Sequence, residues 1–296
     1  VYYTKSLNKI NLSKHNLIHI NFDINFSIKV FIKNVFEDLL KRKPIYQLQI
    51  HETELLPLLG IVKKEISNVF TIYDVHENMN ALYRTFSNRI FIIKELAILK
   101  RTFYEKKNLK FVDQIILANP PIKKINYEKL NIPILVLENY VEKKYIKKKP
   151  KTHKKANLIY HGHLGPERGI EDLVLAMSET VKKYSTTKLI LLGSFRTENF
   201  ENKIKELIKA LSLNKNIKII NQVSYESVWE ILRKSSIGII PFRKNPLTEN
   251  CTPTKLFEMM ASYHHIIATD LAPIRYFVND SIFWAEPDNV NSLKNA

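Results

Sequence analysis

From residue 157 onward, short apolar runs alternate with helical periods, and that alternation leaves the chain little choice of fold. The runs are Asn157–His163, Lys188–Ser194, Ile217–Val223, Ile237–Phe242, His265–Asp270 and Ile282–Ala285. Between two of them Phe200, Ile204, Leu207, Ile208 and Leu211 recur at the spacing of one helix face. Val228, Ile231 and Leu232 mark another helix, and Pro253 opens a third. Six buried strands separated by helices predict an α/β domain built on a doubly wound parallel sheet.

The first half repeats this logic less cleanly. Leu17–Ile20, Tyr46–Ile50, Val69–Tyr73, Gln114–Leu117 and Ile134–Leu137 are strand candidates. Helical stretches lie near Ser27–Leu40, Thr53–Val62, Asn88–Phe103 and Tyr127–Leu130. Between the halves runs Glu142–Lys155, EKKYIKKKPKTHKK, eight of whose fourteen residues are Lys. Such a run repels itself and cannot pack into a core, so it reads as an exposed linker. The expected organisation is a first domain over 1–141, a basic linker over 142–155 and a second domain over 156–296. Two sheets of this kind facing each other across a cleft would place ligands at the C-terminal strand ends.

Composition removes several classes. The longest apolar runs, such as Ile115–Ala118 and Ile237–Phe242, are far short of the roughly 20 residues a membrane span needs. Val1–Asn11 carries no signal-peptide pattern, and the single Cys251 allows no intrachain disulfide, which together predict a cytoplasmic protein. The chain lacks an initiating Met and stops inside a helical pattern at Ser292–Ala296, so both ends look cut. The net charge of +17 comes from 46 Lys and Arg against 29 Asp and Glu, and only nine of the 46 are Arg. A Lys-dominated excess argues against base-reading nucleic-acid recognition and suits phosphorylated ligands or an anionic membrane surface.

Glycine is scarce, and its placement carries the first chemical signal. Three of the six glycines, Gly162, Gly165 and Gly169, fall within HGHLGPERG, between a strand and a helix. Glycine there lets the backbone approach a ligand, and a helix N-terminus offers N–H groups to an anion. Arg168 adds a fork of donors suited to phosphate. The spacing is neither the dinucleotide fingerprint nor a P-loop. In TPTKLFEMMA, Lys255 and Glu258 lie three apart on one helix face. A cation near a helix N-terminus is matched by an anionic ligand, and Glu258 could accept from a vicinal diol, although an ordinary surface ion pair has the same spacing. IYDVHE ends a strand with His76 and Glu77, and His51 with Glu54 makes a weaker pair after YQLQI. No D-x-D, no Cys/His set with zinc spacing and no G-x-S-x-G occurs, so no metal site and no serine-hydrolase site is expected.

In this order, IYDVHE (72–77), VLENYV (136–141), IYHGHLGPERGIEDLVLAM (159–177), LILLGSF (189–195) and PTKLFEMMASYHHIIATDLAPIRYFV (253–278) resemble glycosyltransferase family 4. These are retaining enzymes of the GT-B fold, two Rossmann-like domains facing across a cleft. The resemblance spans roughly residue 45 to the end, and the family's first strand and closing helix look absent. It implies that Arg168 and Lys255 hold the donor diphosphate while Glu258 binds the ribose. Gly162 would admit the phosphates, Val223 would lie near the base, and His76 would contact the transferred sugar as the catalytic residue. The donor would be a nucleotide-diphosphate-sugar, a substrate rather than a cofactor, and no metal is implied. The acceptor would be a glycan or a lipid-linked one, in bacterial envelope polysaccharide synthesis, at the inner face of the membrane.

Two departures stand out. The family often carries a glutamate eight positions before Glu258; here that position is Asn250, with Glu249 beside it. The usual A-G-x-P after the helix is replaced by Ser262, Tyr263, His264 and His265. A nucleotide-sugar epimerase of the same architecture and a non-catalytic GT-B-like binding subunit remain as alternatives.

Overall fold

The computed structural model describes residues 2–4, 19–21, 27–42, 44–119, 127, 130–146 and 157–296. The chain divides into two compact units: Val1–Glu77 with Asn88–Glu138, and Asn78–Ser87 with Asn139–Ala296.

In the first unit, β1 (Tyr2–Thr4) pairs in parallel with β2 (His19–Asn21). Helix α1 (Ile28–Lys41) is capped by the Ser27 hydroxyl, which accepts from the Val30 amide. A four-stranded parallel sheet follows in the order β3 (Gln47–Ile50), β4 (Phe70–Val75), β5 (Gln114–Leu117), β6 (Ile134–Val136). The stretch expected as a helix from Thr53 opens with a tight 3₁₀ turn, Thr53–Leu55, and α2 proper runs Leu56–Glu65. Helix α4 (Phe91–Leu109) joins β4 to β5 after the short α3 (Met79–Phe86). The core lies between α1, α2 and the sheet, through Val35, Leu39, Ile50, Leu56, Leu59, Ile115 and Leu117. Residues 128 and 129 of the expected helix near Tyr127–Leu130, and Leu17 and Ile18 of the run Leu17–Ile20, fall outside the described residues.

Apart from α3, the second unit contains β7 (Asn157–His161), α5 (Ile170–Lys183), β8 (Lys188–Leu192), α6 (Glu198–Ala210), β9 (Ile217–Ile220) and α7 (Tyr225–Leu232). These are followed by β10 (Ile237–Ile240), α8 (Thr254–Ala261), β11 (His265–Thr269), α9 (Ala272–Val278), β12 (Phe283–Ala285) and α10 (Val290–Asn295). The six strands form one sheet in the order β12-β11-β10-β7-β8-β9, every pairing parallel. Alternate residues enter opposite layers: Leu158 and Tyr160 pack with Leu173 and Met177, while Ile159 packs with Trp229 and Leu232. Burial of both faces explains why these strands read as continuous apolar runs. The fold is GT-B, α/β throughout.

Two features differ from the expectation drawn from the sequence. Helix α3 was not foreseen, and it belongs with the second unit although its neighbours in sequence belong to the first. The start of the basic run is not free of the core: Tyr145 stacks on Trp229, centroids 5.0 Å apart and planes 5° from parallel, and its hydroxyl donates to Glu226 at 3.2 Å. Residues 147–156, the rest of the proposed linker, lie outside the described residues.

Candidate functional site

In the second unit β10 and β8 flank β7, so the strand order reverses between β7 and β10. Crevices beyond the strand ends at such a reversal are where open α/β sheets bind ligands. The segments that carry Gly162, Arg168, Phe242 and Lys255 all leave β7 or β10 at that end.

Gly162 has φ +106, and a Cβ there would lie 3.1 Å from the Lys255 Nζ. The lysine therefore faces a backbone stripped of side chain. Lys255 is 8% exposed; its Nζ donates to the Tyr160 hydroxyl at 3.0 Å and sits over the rings of Tyr160 and Phe242. Among the described residues no carboxylate reaches ion-pair distance of that ammonium. Burial, and then the charge of Arg168, push its pKa down to about 7. Arg168 comes from the turn before α5, with its guanidinium 4.6 Å from the Phe242 ring centroid and its Nε 3.4 Å from Glu167 Oε1. Arg196 donates two further hydrogen bonds to the same buried carboxylate, at 2.8 and 3.1 Å. Glu167 thus fixes the turn and offsets the charge of two arginines, leaving Lys255 to desolvation.

Glu258, one turn after Lys255 on α8, is buried, and burial raises its pKa against a hydrogen bond from Tyr225 and the charge of Lys255. His161 Nδ1 lies 3.5 Å from Glu258 Oε2. Burial and the nearby Lys255 push the His161 pKa down to about 3, so this imidazole is neutral. Its Nε2 has no partner among the described residues. Val223 packs against the layer around Trp229 and Leu232. Asn250 donates its amide to the Pro246 carbonyl at 2.6 Å, closing its own loop.

His76 belongs to the first unit and lies, as expected, just past the end of β4. Its Nε2 is 2.8 Å from His51 Nδ1, and both nitrogens lie 3.3 Å from Asp74 Oδ2. Gln49 donates to the same carboxylate oxygen at 2.8 Å. The parallel register of β3 on β4, with Ile50 opposite Tyr73, carries His51 to Asp74, and His76 follows two residues further along the β4 end. Glu54, grouped with His51 in the sequence, turns instead to Arg101 at 3.3 Å. His51, Asp74 and His76 are also the one set of donor atoms, among the described residues, close enough together for a metal ion. Asp74 and His76 share the β4 end, and His51 joins them from the end of the neighbouring β3.

Sequence reasoning missed Tyr160, Phe242 and the Glu167–Arg196 pair. The signal was weak, since each lies in an apolar run or far along the chain from its partner. It also missed the Arg243–Asp172 pair, at 2.5 and 2.6 Å, which ties the loop after β10 to α5.

The glycosyl transferases group 1 family model matches residues 141–296, and the chain belongs to that family. No curated protein matches the sequence. Among solved structures, a glycosyltransferase from Rickettsia africae superposes with a TM-score of 0.71 at 18% identity, covering 96% of this chain and 74% of that one. HepE of Anabaena, solved with UDP, gives 0.71 at 13% identity, covering 96% and 76%. Sucrose-phosphate synthase of Thermosynechococcus elongatus gives 0.67 at 15%, covering 91% and 67%. At these identities the likeness speaks for the fold.

Proposed function

We propose that the chain transfers a sugar, with retention of anomeric configuration, from a nucleotide-diphosphate-sugar to a glycan or lipid-linked acceptor of the bacterial envelope. One observation carries this reading: Lys255, buried and without a carboxylate partner among the described residues, faces the bare backbone of Gly162 beside Arg168. A desolvated cation in that position is completed by an anion, and a diphosphate supplies one. Membership of a sugar-transferring family and a fold shared with a UDP-bound protein agree with this.

In this reading Arg168 and Lys255 neutralise the departing diphosphate, so the transfer needs neither a metal nor a further cofactor. The freed phosphate oxygen can accept the acceptor's proton on the face it leaves, which retains configuration. Glu258 accepts from the ribose hydroxyls, and the unpartnered His161 Nε2 offers a second polar atom nearby. Val223 lines the base, and His76 contacts the transferred sugar. Asn250 would border the donor from its loop, its amide donating to the Pro246 carbonyl.

The test separates binding from chemistry. His76→Ala should lower turnover at least tenfold while leaving the affinity for free nucleoside diphosphate within twofold, because the contact matters at the reacting centre. Equal loss of both would make His76 a structural partner of His51 and Asp74. Absence of sugar-nucleotide turnover with intact diphosphate binding would favour the binding-subunit reading.

A further inference from the structure

Helix α4 turns an apolar stripe outward. Ile92, Leu96, Leu99 and Phe103 recur at i, i+4, i+7 and i+11, and are 67%, 60%, 64% and 71% exposed. Phe91, at the helix start, is 74% exposed. This is not a helix free to roll. Its opposite face is fixed by buried Ile98 and Leu109, by Arg101 on Glu54 and Thr53, and by Glu105, which accepts from Tyr73 and Tyr127. Helix α6 shows what a solvent-facing helix of this chain otherwise presents: Asn202, Lys203, Lys205, Glu206 and Lys209 are exposed while Phe200, Ile204 and Ile208 are buried.

The charges beside the stripe select its occupant. Every charged residue exposed on α4 is a lysine, Lys100, Lys106 and Lys107, with Lys110 at the C-cap. A second copy of the chain would bring these same lysines face to face. An anionic lipid leaflet matches both halves of the pattern: headgroups for the lysines, and an acyl boundary for the stripe. Helices of this kind lie in the interface plane with their apolar face sunk about 5–10 Å. The stripe, eleven residue steps from Ile92 to Phe103, is about 16 Å long at 1.5 Å per residue.

We propose that α4 is a membrane-surface helix, which docks the first unit flat on an anionic leaflet through Ile92, Leu96, Leu99 and Phe103. This places the contact on α4 rather than on the basic run 142–155, and it holds whether or not the transfer reading is right. The experiment is sedimentation of the full chain with vesicles of phosphatidylglycerol and phosphatidylcholine, against phosphatidylcholine alone. Wild type should bind the anionic vesicles and be released at high salt. Leu96→Glu with Phe103→Glu, both at exposed positions, should lower the partition at least tenfold, with the melting temperature and diphosphate affinity unchanged. Replacing five lysines of 143–155 by Gln should leave most of the binding. The proposal is overturned if wild type ignores anionic vesicles, if the double variant binds undiminished, or if the lysine replacements alone abolish binding. It is equally overturned if the chain dimerises in solution and Leu99→Glu breaks the dimer without touching vesicle binding.

Discussion

The two units share an architecture and differ in how they make a polar site at the ends of their strands. The second holds five of the six glycines, and its Gly162, Gly169 and Gly193 have positive φ. Its lysine is buried: Lys255 faces the bare backbone of Gly162, with Arg168 half-buried nearby. The first unit has Gly60 alone, inside α2, and equips its strand ends with exposed side chains, His51 and His76 around Asp74. A site that must wrap an anion demands backbone conformations only glycine tolerates. A site that only touches its ligand can be assembled from side chains on ordinary strands.

The sharpest test of that difference is glycine replacement. A Cβ at Gly193, where φ is +142, would lie 2.0 Å from the Gly162 carbonyl oxygen. Gly193→Ala should cost about 3 kcal/mol or more, since neither backbone can yield cheaply. At Gly60 the obstacle is the Phe111 ring at 2.7 Å, a side chain that can turn, and alanine gains helix propensity of about 1 kcal/mol. Gly60→Ala should therefore change stability by less than about 1 kcal/mol. Thermal melts of the two variants break the comparison if their costs are alike.

Next in size are the cations. Lys255→Ala, or Arg168→Ala, should weaken nucleoside-diphosphate binding by about 1.5–3 kcal/mol, with little change for a nucleoside lacking phosphates. Calorimetric titration checks this, and intact diphosphate affinity in both variants would remove the phosphate site from the second unit.

The same lysine gives a pH signature. Its pKa is held near 7 in the folded chain, against 10.5 for an ordinary lysine. Between those values the unfolded chain binds more protons, so this group makes the ligand-free protein more stable as pH rises. A diphosphate stabilises the ammonium, so affinity should fall over the same window, by up to tenfold per unit above pH 7. Binding near pH 8 should take up most of a proton, read from titrations in buffers of different ionisation enthalpy. Lys255→Ala should abolish the uptake; uptake that persists assigns the proton to another group.

The smallest effect concerns the turn after α8. Tyr263 occupies the place of the family's glycine and adopts φ +59, a left-handed conformation costly for a bulky residue. Tyr263→Gly should stabilise the chain by about 1 kcal/mol, less the entropy glycine adds to the unfolded state. A destabilised variant would mean that the half-exposed ring packs usefully.

The second unit was legible because its strands are buried on both faces. Ile237–Phe242 became β10 ending at Ile240, and the glycine turn and Lys255 came together where the topology reverses. In the first unit Gln114–Leu117 matched β5, while α3, in the same half of the sequence but part of the second unit, went unseen. Ala81 is its only buried residue, and Asn78, whose side chain accepts from the Ala81 amide, gives only a local cap. The basic run was read by its lysines, and the one aromatic within it, Tyr145, was the residue that packs. Of the His51–Asp74–His76 cluster the two histidines were legible at their strand ends, but not their meeting, which the pairing of β3 with β4 brings about.

The membership of α3 in the second unit has a consequence for synthesis. Phe86, near its C-terminal end, stacks against the Arg196 guanidinium, 4.1 Å from centroid to carbon, and Arg196 lies more than a hundred residues further on. At about 5–20 residues per second, α3 leaves the ribosome roughly 5–20 s before the residue it packs against exists. The first unit can close around its own core in that interval, while α3 waits unpartnered. A nascent chain arrested before Arg196 should therefore be cut by protease within Asn78–Ser87, and one arrested well beyond it should resist.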